Sequence, residues 1–166
     1  MKKPTITEFE ETINKYSRML SKIAYSYTKN IFDTQDIVQE VFIKFYNARN
    51  SFESEDHIKN WLIRVTINKS IDVLKYSNKK KLIDDEHVNN LQSTNDFGQK
   101  SVDLYDCVCS LKENYKTIIT LYYYDNCNIS EIAGILKISE GSVRTRLSRA
   151  RVKLKEVINK RQENGK

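Results

Sequence analysis

Ser142, Arg144, Thr145, Arg146 and Arg149 crowd one short stretch near the end of the chain. Guanidinium groups grip a guanine edge or a phosphate in bidentate fashion, and hydroxyls can reach either. A second set is Trp61, Arg64, Asn68, Asp72 and Lys75, spaced mostly by three or four residues. An amide among cations, bordered by an indole, suits nucleic acid: cations for phosphates, Asn for a base edge or backbone, aromatic area for stacking. A third set, Asp36, Gln39, Glu40 and Ile43, joins acids to an aliphatic group. Carboxylates steer a basic partner while the aliphatic side chain supplies burial, which is the chemistry of protein docking. None of these sets is catalytic in type. With two histidines, no Gly-rich phosphate loop and no C-x-x-C, the chain offers little to an enzyme, a metal centre or a cofactor, and none of these is expected.

The elements that must carry these residues are helices. Only one Pro and four Gly occur in 166 residues. Apolar residues recur mostly at three- and four-residue spacing, which predicts an all-α chain. The first set lies on ISEIAGILKISEGSVRTRLSRARVKLKEVI, Ile129 to Ile158. Ile129, Ile132, Ala133 and Leu136 predict a short helix. Lys137 to Ser139 break it, and Ser139 stands where an N-cap belongs. Val143, Leu147, Ala150, Leu154 and Ile158 line one face of the next helix, with Ser142, Thr145 and Arg149 roughly opposite. That is a helix-turn-helix pattern, whose second helix enters the DNA major groove. The same periodicity also fits an ordinary helical hairpin with a solvated basic face.

The second set lies on a helix predicted from His57 to about Tyr76. Ile58, Leu62 and Val65 form one apolar stripe and Ile63, Ile67, Ile71 and Leu74 another, so this helix is expected to pack on two sides. Core burial of Trp61 competes with base contact. The third set lies on a helix expected to start at Asp33 or Thr34 and to end near Asn47, with Ile37, Val38, Val41, Phe42 and Phe45 inward. A solvated face with one stray Ile remains an equal alternative there. A first helix is read from Ile6 to Tyr27, with Thr7 and Glu10 as its capping box. In the polar loop Asn47 to Asp56, Phe52 is the anchor. Beyond the linker, Leu104, Cys107, Val108 and Leu111 form one short helix and Tyr115 to Tyr124 another. Tyr122, Tyr123 and Tyr124 read as helix-end packing.

Charge is unevenly placed. Residues 137–161 hold nine Lys and Arg against Glu140 and Glu156, and residues 59–81 hold seven against Asp72. Residues 82–136 between them hold three against nine acids. Two basic stretches divided by an acidic one predict two contacts with a polyanion. Residues 1–80 are therefore read as one helical domain and 102–166 as a second. Residues 81–101, with a short helix near Asp85 to Leu91, are read as a pliant linker. Cys107, Cys109 and Cys127 are read as small buried apolar residues in a reducing compartment. No apolar run is long enough to span a membrane and no signal core follows Met1–Lys3, which predicts a cytoplasmic protein.

Taken together, the three stretches resemble the extracytoplasmic-function (ECF) type of bacterial RNA polymerase sigma factor, in the sigma-70 family. DTQDIVQEVFIKFY, Asp33 to Tyr46, resembles the helix that docks on the clamp coiled coil of the polymerase largest subunit. IKNWLIRVTINKSIDVLK, Ile58 to Lys75, is similar to the segment that recognises and melts the minus-ten promoter element. ISEIAGILKISEGSVRTRLSRARVKL, Ile129 to Leu154, is similar to the unit that reads the minus-thirty-five element. The resemblance implies two helical domains, no cofactor, and core RNA polymerase, promoter DNA and an anti-sigma factor as partners, with no membrane insertion. It assigns docking to Asp36, Gln39, Glu40 and Ile43. Minus-ten contacts fall to Trp61, Arg64, Asn68, Asp72 and Lys75, and upstream contacts to Ser142, Arg144, Thr145, Arg146 and Arg149. Lys75 stands where the family often has Arg, and an ammonium holds phosphate less geometrically. A stand-alone helix-turn-helix regulator is the alternative, though it leaves the Asp36–Ile43 face without a use.

Overall fold

Thr5 starts the first helix because its extended backbone leaves the hydroxyl free to accept the Glu8 N–H, while the Glu8 carboxylate accepts the Thr5 N–H at 2.8 Å. This capping box lies two residues before the expected Thr7–Glu10 pair, both of which are inside helix α1, Ile6–Thr28. The computed structural model describes residues 3–48, 51–83 and 99–164, and of residues 81–83 and 99–103 the backbone alone. The chain divides into two units, Met1–Ser93 and Thr94–Lys166.

In the first unit α1 ends at Lys29, in the left-handed region at φ 51°, and Asn30 at once caps helix α2, Ile31–Asn47. The Asn30 carboxamide accepts the N–H groups of Phe32 and Asp33 at 2.8 and 3.1 Å. The cap expected at Asp33 or Thr34 is therefore displaced one turn upstream. Asn30 competes better because it is extended, whereas Thr34 is already helical and buried and donates to the Asn30 carbonyl. Helix α3, Glu55–Ile83, starts two residues before His57, with the Ser54 hydroxyl accepting the His57 N–H at 3.1 Å. It also runs well past Tyr76 into the lysines, which are good helix formers when solvated.

The three helices pack pairwise. Leu62 and Ile63, neighbours in sequence, are both fully buried, as a helix wedged between α1 and α2 requires. Leu20, Ile23, Ile37 and Val41 complete the centre of this core. Thr66 and Ser70 are buried too. Their hydroxyls donate to the Leu62 and Thr66 carbonyls at 2.8 and 2.7 Å, so neither carries an unmet polar group inside. Phe52 anchors the loop as expected, packing on Phe45 and Trp61.

The second unit comprises α4, Gln99–Cys109; α5, Glu113–Ile119, which runs into a single π turn, Thr120–Tyr124; α6, Ile129–Leu136; and α7, Glu140–Asn164. Val108, Ile118, Ile119, Leu121, Ile132, Ile135, Val143, Leu147 and Ala150 form its core. The helical path ends at Tyr124 as expected, its last turn being the wider π form. Cys107, Cys109 and Cys127 are buried, and none is in a disulfide. The expected linker, 81–101, overlaps the end of α3 and the start of α4; residues 84–98, with the expected helix near Asp85 to Leu91, lie outside the described residues.

Candidate functional site

The acidic set is carried by α2. Successive helical residues turn by about 100°, so Ile37, Val38, Val41, Phe42 and Phe45 face inward, and all five are buried. Asp36, Gln39, Glu40 and Ile43 are exposed, on the opposite side, with Ile43 59% accessible. Glu40 is ion-paired with Lys69 of α3, so part of its charge is answered within the unit. The sequence gives no sign of that pair, because its members lie far apart along the chain. Phe32 is also exposed, in the first turn of α2.

The polar stripe is carried by α3. Trp61, Arg64, Asn68, Asp72 and Lys75 fall within about 80° around the helix, so they share one side. They are not equally free. Asn68, Asp72 and Lys75 are exposed, whereas Trp61 and Arg64 are half-buried. The indole packs edge-on against Phe52, with centroids 5.6 Å apart, and lies 6.2 Å from Phe45. Phe52 in turn meets His57 edge-on at 5.4 Å. Trp61 is therefore both a wall of the core and the edge of the stripe. Arg64 Nε and Asn60 Oδ1 are buried without a hydrogen-bond partner. An unanswered guanidinium N–H costs free energy that a bound anion would recover. Tyr76 and Lys79, both exposed, continue the same side beyond the residues singled out from sequence.

The third set is carried by α6 and α7. Asn128 caps α6 in a reciprocal box with Glu131. Lys137 ends it in the left-handed region at φ 53°. Ser139 caps α7, its hydroxyl accepting the Ser142 N–H at 3.1 Å. Val143, Leu147 and Ala150 are buried against the unit, which turns Thr145 and Arg149 outward, both exposed. Ser142 and Arg146 are half-buried, and the Ser142 hydroxyl bonds that of Ser139 at 2.9 Å. Arg144 is exposed and pairs with Glu140 at 3.0 Å. Arg151, two residues beyond Arg149, is engaged within the unit: its Nε donates to the Tyr123 hydroxyl at 2.7 Å and its guanidinium lies over the rings of Tyr122 and Tyr123. The tyrosine run thus ties α7 to the π turn.

The structure brings each of the first two sets onto one helix side; of the third, Ser142, Thr145, Arg146 and Arg149 fall within about 100° around α7, while Arg144 is turned about 100° further from Thr145. The first two belong to one unit and the third to the other. Among the described residues no group of three or more His, Cys, Asp or Glu is arranged to hold a metal, and no helix is long and apolar enough to cross a membrane.

Comparisons with known proteins follow the same division. Residues 12–80 match the family model for sigma-70 region 2, and residues 101–154 that for sigma-70 region 4. The chain is 33% identical over 129 residues to the RNA polymerase sigma factor SigV of Bacillus subtilis, covering 78% of each chain. It is 26% identical to the ECF RNA polymerase sigma factor SigW of the same organism, covering 95% of this chain and 92% of that one. Among solved structures, the sigma factor RpoE from Bartonella quintana, in complex with the anti-sigma factor NepR, superposes with a TM-score of 0.74 at 19% identity, over 93% of this chain and 98% of that one. The region 2 match removes the stand-alone regulator alternative, since such a protein has no use for that unit. With helix faces of the expected character on both matched segments, the chain belongs to the sigma-70 family of RNA polymerase sigma factors, as a factor of the ECF type.

Proposed function

We propose that this alternative sigma factor works through three surfaces, one for each helix face described above. The α2 face, Asp36, Gln39, Glu40 and Ile43, docks on the clamp coiled coil of core RNA polymerase. Acids guide the encounter and Ile43 is buried by it. The α3 stripe then holds the opened minus-ten strand. Asn68 and Lys75 meet a base edge and phosphates, Arg64 gains an anion for its buried Nε, Asp72 orients neighbouring donors, and the exposed part of Trp61 offers stacking area. The amino-terminal half of α7 reads the upstream duplex, with Arg149, Thr145 and Arg146 toward base edges and Ser142 and Arg144 toward phosphates.

Residues 1–80 and 102–166 act as separate modules, and 81–101 as the tether that lets them bind two promoter elements at once. The chain supplies recognition and strand separation, the polymerase supplies the chemistry, and both meet in the cytoplasm. Since the solved relative is held by an anti-sigma factor, such a protein is the expected regulator here as well.

The observation that carries this reading is the pairing, in one chain, of an acidic face around an exposed isoleucine with a helix-turn-helix. Run-off transcription tests it. Purified chain added to core polymerase on genomic templates should yield discrete start sites that core enzyme alone does not. Transcripts that do not depend on the chain would contradict it.

A further inference from the structure

Among the described residues Phe32 is the most exposed of the large hydrophobic side chains, at 73%. Its backbone is held: the N–H is bound by the Asn30 cap at 2.8 Å, so the point at which the side chain leaves α2, in the first turn, is set. Nothing in that cap requires an aromatic ring. Isolated apolar residues on a surface are ordinary; Phe32 is not isolated in register. Eleven residues separate it from Ile43. On a helix that is three turns plus about 20°, so the two lie nearly on one line, about 16 Å apart. Asp36, Gln39 and Glu40, all exposed, fill the span between them. The α2 face therefore has an acidic middle and an apolar group at each end.

We infer that Phe32 is a second anchor for core RNA polymerase, at the far end of the same face from Ile43. The inference rests on the docking role proposed for that face. The matching surface on the polymerase is elongated, basic at its centre and apolar at both ends. Large aromatic side chains that lose most of their exposure on association dominate interface energetics. Two such points set the register of an elongated partner along α2 where one would leave it free to slide. DNA does not fit this face, because Asp36 and Glu40 would repel its phosphates. A second copy of the chain fits poorly, since the same acids would oppose themselves across a two-fold axis.

The test uses the full chain and purified core polymerase. Phe32→Ala should weaken binding by about tenfold or more. Phe32→Leu should keep most of the affinity, and helix content and melting temperature should stay unchanged because the ring is outside the core. Ile43→Glu serves as the reference. If Ile43→Glu abolishes binding and Phe32→Ala leaves it intact, Phe32 is no anchor although the docking face stands. If neither variant changes binding, the docking face itself is misplaced. A second readout is independent of affinity. The three native cysteines are buried, so Phe32→Cys can be labelled selectively with an environment-sensitive dye. Core polymerase should shift its emission to the blue, and an unshifted spectrum at saturating polymerase overturns the inference. Self-association lost in Phe32→Ala with unchanged polymerase affinity would assign the residue to a dimer contact instead.

Discussion

The α3 stripe and the α7 face are both proposed to meet DNA, yet they are built in opposite ways. On α7 Arg144, Thr145 and Arg149 stand clear of the core, and Val143, Leu147 and Ala150 are the residues that hold the helix to the unit. On α3 the helix is packed from two sides, and the stripe is what remains between them. Its Trp61 is a neighbour of Phe45 and Phe52, and its Arg64 is partly inside. A face meant to read intact duplex needs only to project. A face meant to hold unstacked bases needs apolar and aromatic walls at hand, and those walls double as core. Changes at Trp61 and Arg64 should therefore cost fold and function together, while changes at the exposed positions of either helix, such as Asn68 and Arg149, cost function alone.

Trp61→Ala gives the largest expected effect. Truncating a half-buried indole in an aromatic cluster should destabilise the first unit by about 2–3 kcal/mol, somewhat less than for a fully buried ring. Urea unfolding of the full chain followed by circular dichroism checks this, and an unchanged first-unit transition breaks the comparison. Arg149→Ala comes next. It should reduce discrimination among upstream-element variants by about 1–3 kcal/mol if the guanidinium grips a base edge. Its unfolding midpoint should stay within about 0.5 kcal/mol of the parent, as for other exposed positions. Equal loss on all upstream sequences would instead make Arg149 a phosphate contact.

Lys137→Gly sharpens the comparison from the stability side. A left-handed lysine between α6 and α7 carries a steric cost of about 1 kcal/mol that glycine lacks. The second unit should therefore gain about that much in denaturant unfolding, with the reading face unaltered. The smallest effect is alkaline. Tyr16 donates to Glu55 at 3.1 Å, and burial, with Asp56 nearby, raises its phenol above the usual 10.0. A raised folded value contributes stability that is complete below the unfolded value and lost as pH rises through the folded one. The first unit should thus weaken only above about pH 10, and Tyr16→Phe should flatten that limb of the pH profile.

The helix count in each unit, the inward residues of α2 and the first half of α7 and the helix-turn-helix were legible in the sequence because apolar spacing alone determines them. Caps were less legible. Thr5 and Asn30 won over Thr7 and Asp33 because the choice depends on which backbone is extended, not on which residue type is present. The Ser139 cap was legible because Lys137–Ile138 already breaks the pattern. What stayed hidden were contacts between distant residues. The Glu40–Lys69 pair and the Arg151–Tyr123 bond each remove an apparently free charge from a face, and no periodicity reports them. Phe32 was hidden for a different reason: an aromatic next to a helix start reads by default as core, and only the position of the Asn30 cap turns it outward.

The most direct test of the division between the two faces is permanganate reactivity of minus-ten thymines in promoter complexes made with core polymerase and either parent chain or Asn68→Ala. Asn68 is exposed, so the variant should fold and bind polymerase as the parent does. Reactivity should drop sharply while polymerase co-purification is retained. Thymines as reactive with the variant as with the parent would mean that the α3 stripe does not hold the opened strand.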